Sequence, residues 1–182
     1  YSRAATLDIE LTSLQTLIEE VGELVQPQCD QKGVSLLLDL ATEVPPIPVD
    51  ANAIHQAVVN VVMNAVEAVP SRYGVVTVAL SFDAALHEAY IRVSDNGPGI
   101  PENFRDQAFE PFVTTKGQRG TGLGLAVTRK IIHEHTGHID MRSSVEDGTT
   151  VILCLPTDQA VTDLGETRLP RPTPAPDGVD EF

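Results

Sequence analysis

Gly117-Gln118-Arg119-Gly120-Thr121-Gly122-Leu123-Gly124-Leu125 is the stretch on which the reading of this chain turns, because it opens directly into a helical pattern. Glycines let a backbone approach a ligand closely, and a helix start offers N–H groups without intrahelical partners at the positive end of its dipole. The combination is a phosphate cradle. It lacks the Lys-Ser/Thr ending of a P-loop and does not sit in a βαβ unit, so it is neither a Walker site nor a Rossmann fingerprint. Taken alone, a flexible surface loop capping a helix reads equally well.

Two further elements lie upstream. Asp95-Asn96-Gly97-Pro98-Gly99 follows an apolar run directly. A carboxylate at a strand end, beside glycines that permit close approach, can accept a hydrogen bond from an exocyclic amine; an ordinary Asx turn is the alternative. Asn60, Asn64 and Glu67, spaced by four and three, share one face of a helical stretch with Ala65 and Ala68 between them. Asn is a poor helix former, so two of them on an apolar helix call for a reason. Amide oxygens near phosphate oxygens can complete the octahedral shell of Mg²⁺; a solvated helix face is the alternative.

Around these motifs the chain alternates helix and strand. Leu7, Leu11, Leu14, Ile18, Val21 and Val25 predict an amphipathic helix from Thr6 to about Gln31, interrupted near Pro27 and closed by Gly33. A strand is expected over 34–40, before the Pro45, Pro46, Pro48 cluster. Asp50 then reads as the N-cap of a helix reaching Val69, with Ile54, Val58, Val61, Val62, Ala65 and Val69 inward and Pro70 ending it. Strands over 75–82 and 89–94 come next, followed by a turn-rich stretch to Gly120. A second helix runs from Gly122 or Leu123 to His135. Strands over 139–143 and 149–155, joined through Asp147-Gly148, complete the body. The expected fold is α+β: a two-layer α/β sandwich with a mixed, mostly antiparallel sheet packed on helices.

The chain of 182 residues carries 26 acids and 12 bases, a net charge of −14, and is 42% apolar and 4% aromatic. The cationic face that nucleic acid or an anionic membrane demands is therefore missing. No run approaches a membrane span and no stretch reads as a signal peptide, so a cytoplasmic domain without direct membrane contact is expected. Cys29 and Cys154 are too few for a disulfide framework and too isolated in sequence for a zinc site. Residues 1–32 and 157–182 each carry six acids and two bases, leaving the body only mildly acidic. Within it Lys116, Arg119, Arg129 and Lys130 gather beside the glycines, as though around an anion. Past Pro156 the periodicity stops, and Pro170, Pro172, Pro174 and Pro176 mark a disordered tail or linker.

Taken in order, the three elements resemble the Bergerat-type ATP-binding domain of the histidine kinase, gyrase, chaperone and mismatch-repair ATPase superfamily. The likeness is greatest to the catalytic domain of sensor histidine kinases. Residues 55–68 are similar to the N box and Asp95-Asn96-Gly97-Pro98-Gly99-Ile100-Pro101 to the G1 box. Phe109-Glu110-Pro111-Phe112 with Thr114-Thr115-Lys116 resembles the F box, and Gly120-Thr121-Gly122-Leu123-Gly124-Leu125 the G2 box. Gly148-Thr149-Thr150 matches the last nucleotide-contacting strand. The resemblance spans about residues 33–156 and implies three divisions: 1–26, the end of a dimerisation hairpin or a linker; 27–157, the catalytic domain; 158–182, the tail.

The resemblance also implies roles. Asp95 would bind the adenine amine with Thr149 helping through a shared water, Gly99 would let the base pack closely, and Gly97 and Ile100 would be further nucleotide-binding residues. Asn64 would coordinate Mg²⁺ with Asn60 in support. Backbone N–H groups of Gly122, Leu123 and Gly124 would hold the phosphates, with Gly120, Thr121 and Leu125 of the same box also nucleotide-binding. Lys116 would reach them from a lid that also brings Phe112 and Thr115 to the nucleotide, with Arg119 a further candidate. Gyrase-like and chaperone ATPases carry a glutamate in place of Asn60, and an amide cannot accept a proton as that carboxylate does. Asn60 and Lys116 are thus the catalytic candidates of a kinase that keeps its γ-phosphoryl group from water. None of His55, His87, His133, His135 and His138 fits a phosphoacceptor motif, so that histidine and its dimerising helices are expected outside the chain. A response regulator receiver domain is the implied downstream partner, and a homodimer the implied assembly of the whole protein. An anti-sigma-factor-type serine/threonine kinase and a non-catalytic nucleotide-binding docking module are the alternatives.

Overall fold

Two short side chains decide where the helices of the N-terminal half begin. In the computed structural model, which describes residues 7–105, 107–113, 122–145 and 147–158, the Ser13 hydroxyl accepts the Thr16 N–H and starts a helix at Leu14. The helix (α1, Leu14–Lys32) follows a strand (β1, Ile9–Thr12). The helix expected from Thr6 is thus a strand followed by a helix. It also runs through Pro27 without interruption and ends at Gly33 in the left-handed conformation.

Leu14, Leu17, Ile18, Val21, Val25 and Cys29 of α1 lie in the same core as the sheet. α1 thus packs into the body from its first turn. Burial, with the charge of Asp30 adding to it, pushes the Cys29 thiol above its ordinary value.

After Gly33 come β2 (Ser35–Leu40) and β3 (Ile47–Asp50). The latter was hidden in sequence by the proline cluster. It pairs antiparallel with β1 alone, setting Leu11 opposite Pro48, and an edge of this kind tolerates a residue with no N–H to donate. Asp50 then caps α2 (Ala51–Ala68), as expected. Its carboxylate accepts the N–H of Ala53 at 3.0 Å and that of Asp8 at 3.1 Å. Those bonds hold the carboxyl below the usual carboxylate range. At the far end of α2, Lys32 Nζ donates to the carbonyls of Val66 and Glu67, both at 2.8 Å, where a cation suits the helix dipole.

The remaining elements are β4 (Val75–Asp83), β5 (Glu88–Asp95), the short α3 (Glu102–Arg105), α4 (Gly124–Glu134), β6 (His138–Ser144) and β7 (Gly148–Pro156). Five strands form one sheet in the order β2-β4-β5-β7-β6, with β2 parallel to β4 and every other pair antiparallel. Val76, Val78 and Leu80 of β4, Ala89, Ile91 and Val93 of β5, and Val151, Leu153 and Leu155 of β7 point to the helices and are buried. The architecture is the expected two-layer α/β sandwich. His135 is fully buried between the layers: Asp50 N–H donates to its Nε2 at 3.0 Å, and its Nδ1 lies 2.8 Å from the Ile131 carbonyl. It ties the end of α4 to the cap of α2 as a packing residue.

Candidate functional site

Strand register builds one wall of the site. Asp95 at the end of β5 stands opposite Thr149 of β7, and Thr149 stands opposite Ser143 of β6. One step inward the same pairing aligns Val93, Val151 and Met141. Side chains alternate between the faces of a sheet, so both rows point toward the helices.

Ser143 is the hub of the first row. The Ile100 N–H donates to its Oγ at 2.7 Å, the Gly148 carbonyl lies at 3.0 Å and Thr149 Oγ1 at 2.9 Å. One hydroxyl hydrogen and two lone pairs match those three partners. The Asp95 carboxylate accepts the Gly97 N–H at 2.8 Å, which curls the loop after β5 back over the strand end. Two glycines are required here by backbone contact. Gly148 has φ +81° and a Cβ there would run into the Asp95 carbonyl; Gly99 has φ +70° and a Cβ there would run into the carbonyl of Ser144. The β6–β7 hairpin thus packs directly against Gly99.

The opposite wall is α2, with Asn60, Asn64 and Glu67 on its cleft side as their spacing demanded. The start of α4 rests on it. Asn60 Nδ2 donates to the Gly124 carbonyl at 3.4 Å. The fully buried Thr128 hydroxyl bonds that carbonyl at 2.9 Å and lies 3.4 Å from the carbonyl of Ala57. A Cβ at Gly124 would stand 3.5 Å from Asn64 Nδ2, an ordinary contact, so the packing of α4 on α2 does not itself require a glycine there. Among the described residues no side chain caps the first turn of α4, and the first N–H groups of a helix have no partner within it.

Between the walls lies a cleft of about 630 Å³, within the usual range for a small-molecule site. Of the residues singled out in sequence, Asn60, Asn64, Asp95, Gly99, Ile100, Gly122, Gly124, Leu125 and Thr149 line it. Gly97 sits beneath, bound to Asp95. Leu123 and Phe112 are exposed and outside the lining, Phe112 at φ +67° with its N–H bonded to the Gly122 carbonyl at 3.0 Å. Thr115, Lys116, Arg119, Gly120 and Thr121 lie outside the described residues.

Of the gathered cations, Arg129 pairs with Glu110 at 3.5 Å and sits over the Phe109 ring at 6.0 Å, while Lys130 pairs with Glu134 at 3.7 Å. Neither lines the cleft. Sequence reading missed Ser143 and the apolar lining of Met63, Val93, Phe104, Met141 and Val151. Strand alternation could have supplied the strand residues; nothing local marks Ser143.

A model of the histidine kinase-, DNA gyrase B-, and HSP90-like ATPase family matches residues 49–159. The chain belongs to this family. It is 37% identical over 147 residues to sporulation kinase A of Bacillus subtilis (strain 168), covering 81% of this chain and 24% of that kinase. It therefore spans about a quarter of that curated relative. Among solved structures it is similar to the catalytic domain of the histidine kinase ThkA, at 31% identity and a TM-score of 0.74 over 83% of this chain and 99% of that one. ThkA is also known in complex with the response regulator protein TrrA, matched at 29% identity and a TM-score of 0.74 over 87% and 44% of the two chains. Full-length ShkA in complex with AMPPNP matches at 26% identity and a TM-score of 0.77 over 90% of this chain and 34% of that one. Within the family the domain is of the sensor histidine kinase ATP-binding catalytic type. Among the described residues no helix is long and apolar enough to cross a membrane.

Proposed function

We propose that this domain binds Mg·ATP in the cleft between α2 and the sheet and donates the γ-phosphoryl group to a histidine on the dimerisation domain of its own protein. The observation that carries the reading is the cleft itself, which sets Asp95 on one wall against Asn60 and Asn64 on the other. Asp95 accepts the adenine amine, and Thr149, directly across the strand pair, shares the base edge. Apolar Val93, Met141 and Val151 pack on the base.

Asn64 and phosphate oxygens form the oxygen-rich set that suits Mg²⁺, which when bound neutralises charge on the phosphoryl oxygens. The uncapped N–H groups at the start of α4 hold the phosphates. Asn60 is tied to Gly124 through its own N–H and, as an amide, takes no proton from water, so the γ-phosphoryl group persists for an incoming imidazole. Lys116 reaches the phosphates from the segment between the F and G2 boxes, and Thr115 and Phe112 are further nucleotide-binding residues. The whole protein acts as a cytoplasmic homodimer, or one anchored with this domain facing the cytoplasm, and passes the phosphoryl group to a receiver domain, as the ThkA–TrrA complex suggests.

Calorimetric titration of Mg·ATP into wild-type and Asp95→Asn protein tests the pocket. Asn keeps an oxygen for the Gly97 N–H but lacks the charge, and a hydrogen bond to a charged group is worth about 1.5–3 kcal/mol. Affinity should fall roughly 10- to 100-fold; unchanged affinity removes Asp95 from the site. With a dimerisation hairpin supplied in trans, the product should be an acid-labile phosphohistidine. Acid-stable phosphate on a serine or threonine would instead mark the anti-sigma-factor type of kinase.

A further inference from the structure

Three adjacent strands also meet on the sheet face turned away from the helices, at the end opposite Asp95. His138 of β6 stands directly across from Cys154 of β7, and Tyr90 of β5 stands across from Cys154 on its other side. Glu88, two residues before Tyr90, shares its face. One donor atom each from Glu88, His138 and Cys154 lies within 4.8 Å of the other two. Glu88 and Cys154 are 8% and 1% exposed, whereas His138 is open to solvent. We propose that this triad is a binding site for a borderline divalent cation, Zn²⁺, separate from the nucleotide cleft.

The donor chemistry argues for zinc. A thiolate, an imidazole and a carboxylate are its three customary protein ligands, and the first two are poor partners for Mg²⁺ or Ca²⁺. Metal–ligand bonds of about 2.0–2.3 Å in a tetrahedron place donors roughly 3.3–3.8 Å apart. The triad is therefore loose by at most about 1.5 Å, and exposed His138 is the member able to close the gap. The other two are held by packing, and Glu88 is also oriented: the Tyr90 hydroxyl donates to its Oε2 at 2.6 Å. A hydrogen bond from outside that aims a metal-ligating carboxylate is the usual support of such a site.

Register does the positioning, because Glu88 and His138 lie fifty residues apart in sequence. Binding replaces the Cys154 S–H by an S–Zn bond and releases the proton to solvent, with no change of oxidation state. The fourth position opens to solvent beside His138, so the metal exchanges. The plain alternative is a hydrogen-bonded cluster in which Tyr90 satisfies a buried acid and no metal binds.

Co²⁺ serves as the probe on the EDTA-stripped wild-type chain, without nucleotide. One equivalent should produce the visible bands of tetrahedral Co²⁺ and a near-ultraviolet thiolate-to-cobalt band, and Zn²⁺ should displace both. His138→Ala, at an exposed position, should weaken binding at least tenfold with an unchanged metal-free melt. Cys154→Ser should lose the thiolate band, and Tyr90→Phe, which keeps every ligand, should weaken binding about tenfold. Zn²⁺ should raise the melting temperature of the wild type and not of His138→Ala. Absence of a Co²⁺ spectrum at millimolar metal overturns the assignment, as does a spectrum that survives both His138→Ala and Cys154→Ser.

Discussion

Removing the hydroxyl of Ser143 tests the site where its construction is most specific. Ser143→Ala deletes one oxygen and breaks three relations at once: the Ile100 N–H loses its acceptor, the Gly148 carbonyl loses a donor, and Thr149 Oγ1 loses its partner. Ser143 is 8% exposed, so water does not simply replace it. A buried polar group left without a partner costs about 1–3 kcal/mol. Ile100 and Thr149 are only half-buried and recover part of that from solvent.

The net cost should be near 2 kcal/mol, which for a domain of this size lowers the melting temperature by roughly 4–8 °C. The loss should also reach the ligand. Ile100 and Thr149 both line the cleft, and the Ser143 bond is what fastens the loop after β5 to the β6–β7 hairpin. Mg·ATP affinity, measured by calorimetry well below the melt, should fall about tenfold, or ~1.4 kcal/mol. Ser143→Thr restores the hydroxyl on a residue suited to a strand and should recover most of both effects. If Ser143→Ala melts and binds as the wild type does, the hub is a coincidence of packing and the reasoning fails.

Two further outcomes follow from the backbone and the caps. Gly148→Ala forces a side chain into φ +81° and against the Asp95 carbonyl, which should cost roughly 3 kcal/mol or more in urea denaturation; a near-neutral result would refute the close approach of β5 and β7 at Asp95. Asp50→Ala should cost about 1 kcal/mol at neutral pH through loss of the α2 cap. The folded carboxyl is held low by Ala53 and Asp8 N–H groups, so its contribution is present above the unfolded pKa and fades as pH falls through the folded one. The gap between wild type and mutant should hold from about pH 5 to 8 and close in acid, below the usual carboxylate pKa near 3.9; a gap that widened in acid would reverse the sign of the argument.

Where sequence reading failed, a distant partner had overruled a local signal. Leu7 and Leu11 continue the heptad-like phase of α1, yet Ile9–Thr12 extends because Ile47–Asp50 is there to pair with it. Pro27 is a helix breaker worth about 3 kcal/mol in a helix interior. Here the helix carries seven buried residues, among them Val25 and Cys29 on either side of the proline, and each large one contributes about 1.5–3 kcal/mol on burial. Tertiary packing outweighs the breaker. By contrast Asp50, Gly33 and the Asp147-Gly148 turn were legible because each acts within three or four residues of itself.

The same distinction explains which part of the site could be read in advance. Asn60, Asn64 and Asp95 carry their chemistry on side chains whose spacing or setting announces it, and all three line the cleft. Ser143 announces nothing: it is one serine of a Ser-Ser pair, and only a register running through Thr149 to Asp95 makes it a hub. The cationic cluster erred in the other direction. Arg129 and Lys130 lie close to the glycines in sequence, but α4 turns Arg129 onto Glu110 and Phe109 and sets Lys130 four residues from Glu134. Two halves of the cleft are therefore held by different means. The end nearest Asp95, proposed to take the base, is fixed by hairpin register and backbone contacts that tolerate no Cβ. At the end proposed for the phosphates, α4 meets α2 through the Asn60 amide on the Gly124 carbonyl at 3.4 Å and the Thr128 hydroxyl 3.4 Å from the Ala57 carbonyl, while Arg129 and Lys130 pair elsewhere. On the proposed reading, the base would meet a frame fixed by strand register, and the phosphates a helix start joined to α2 by neutral groups.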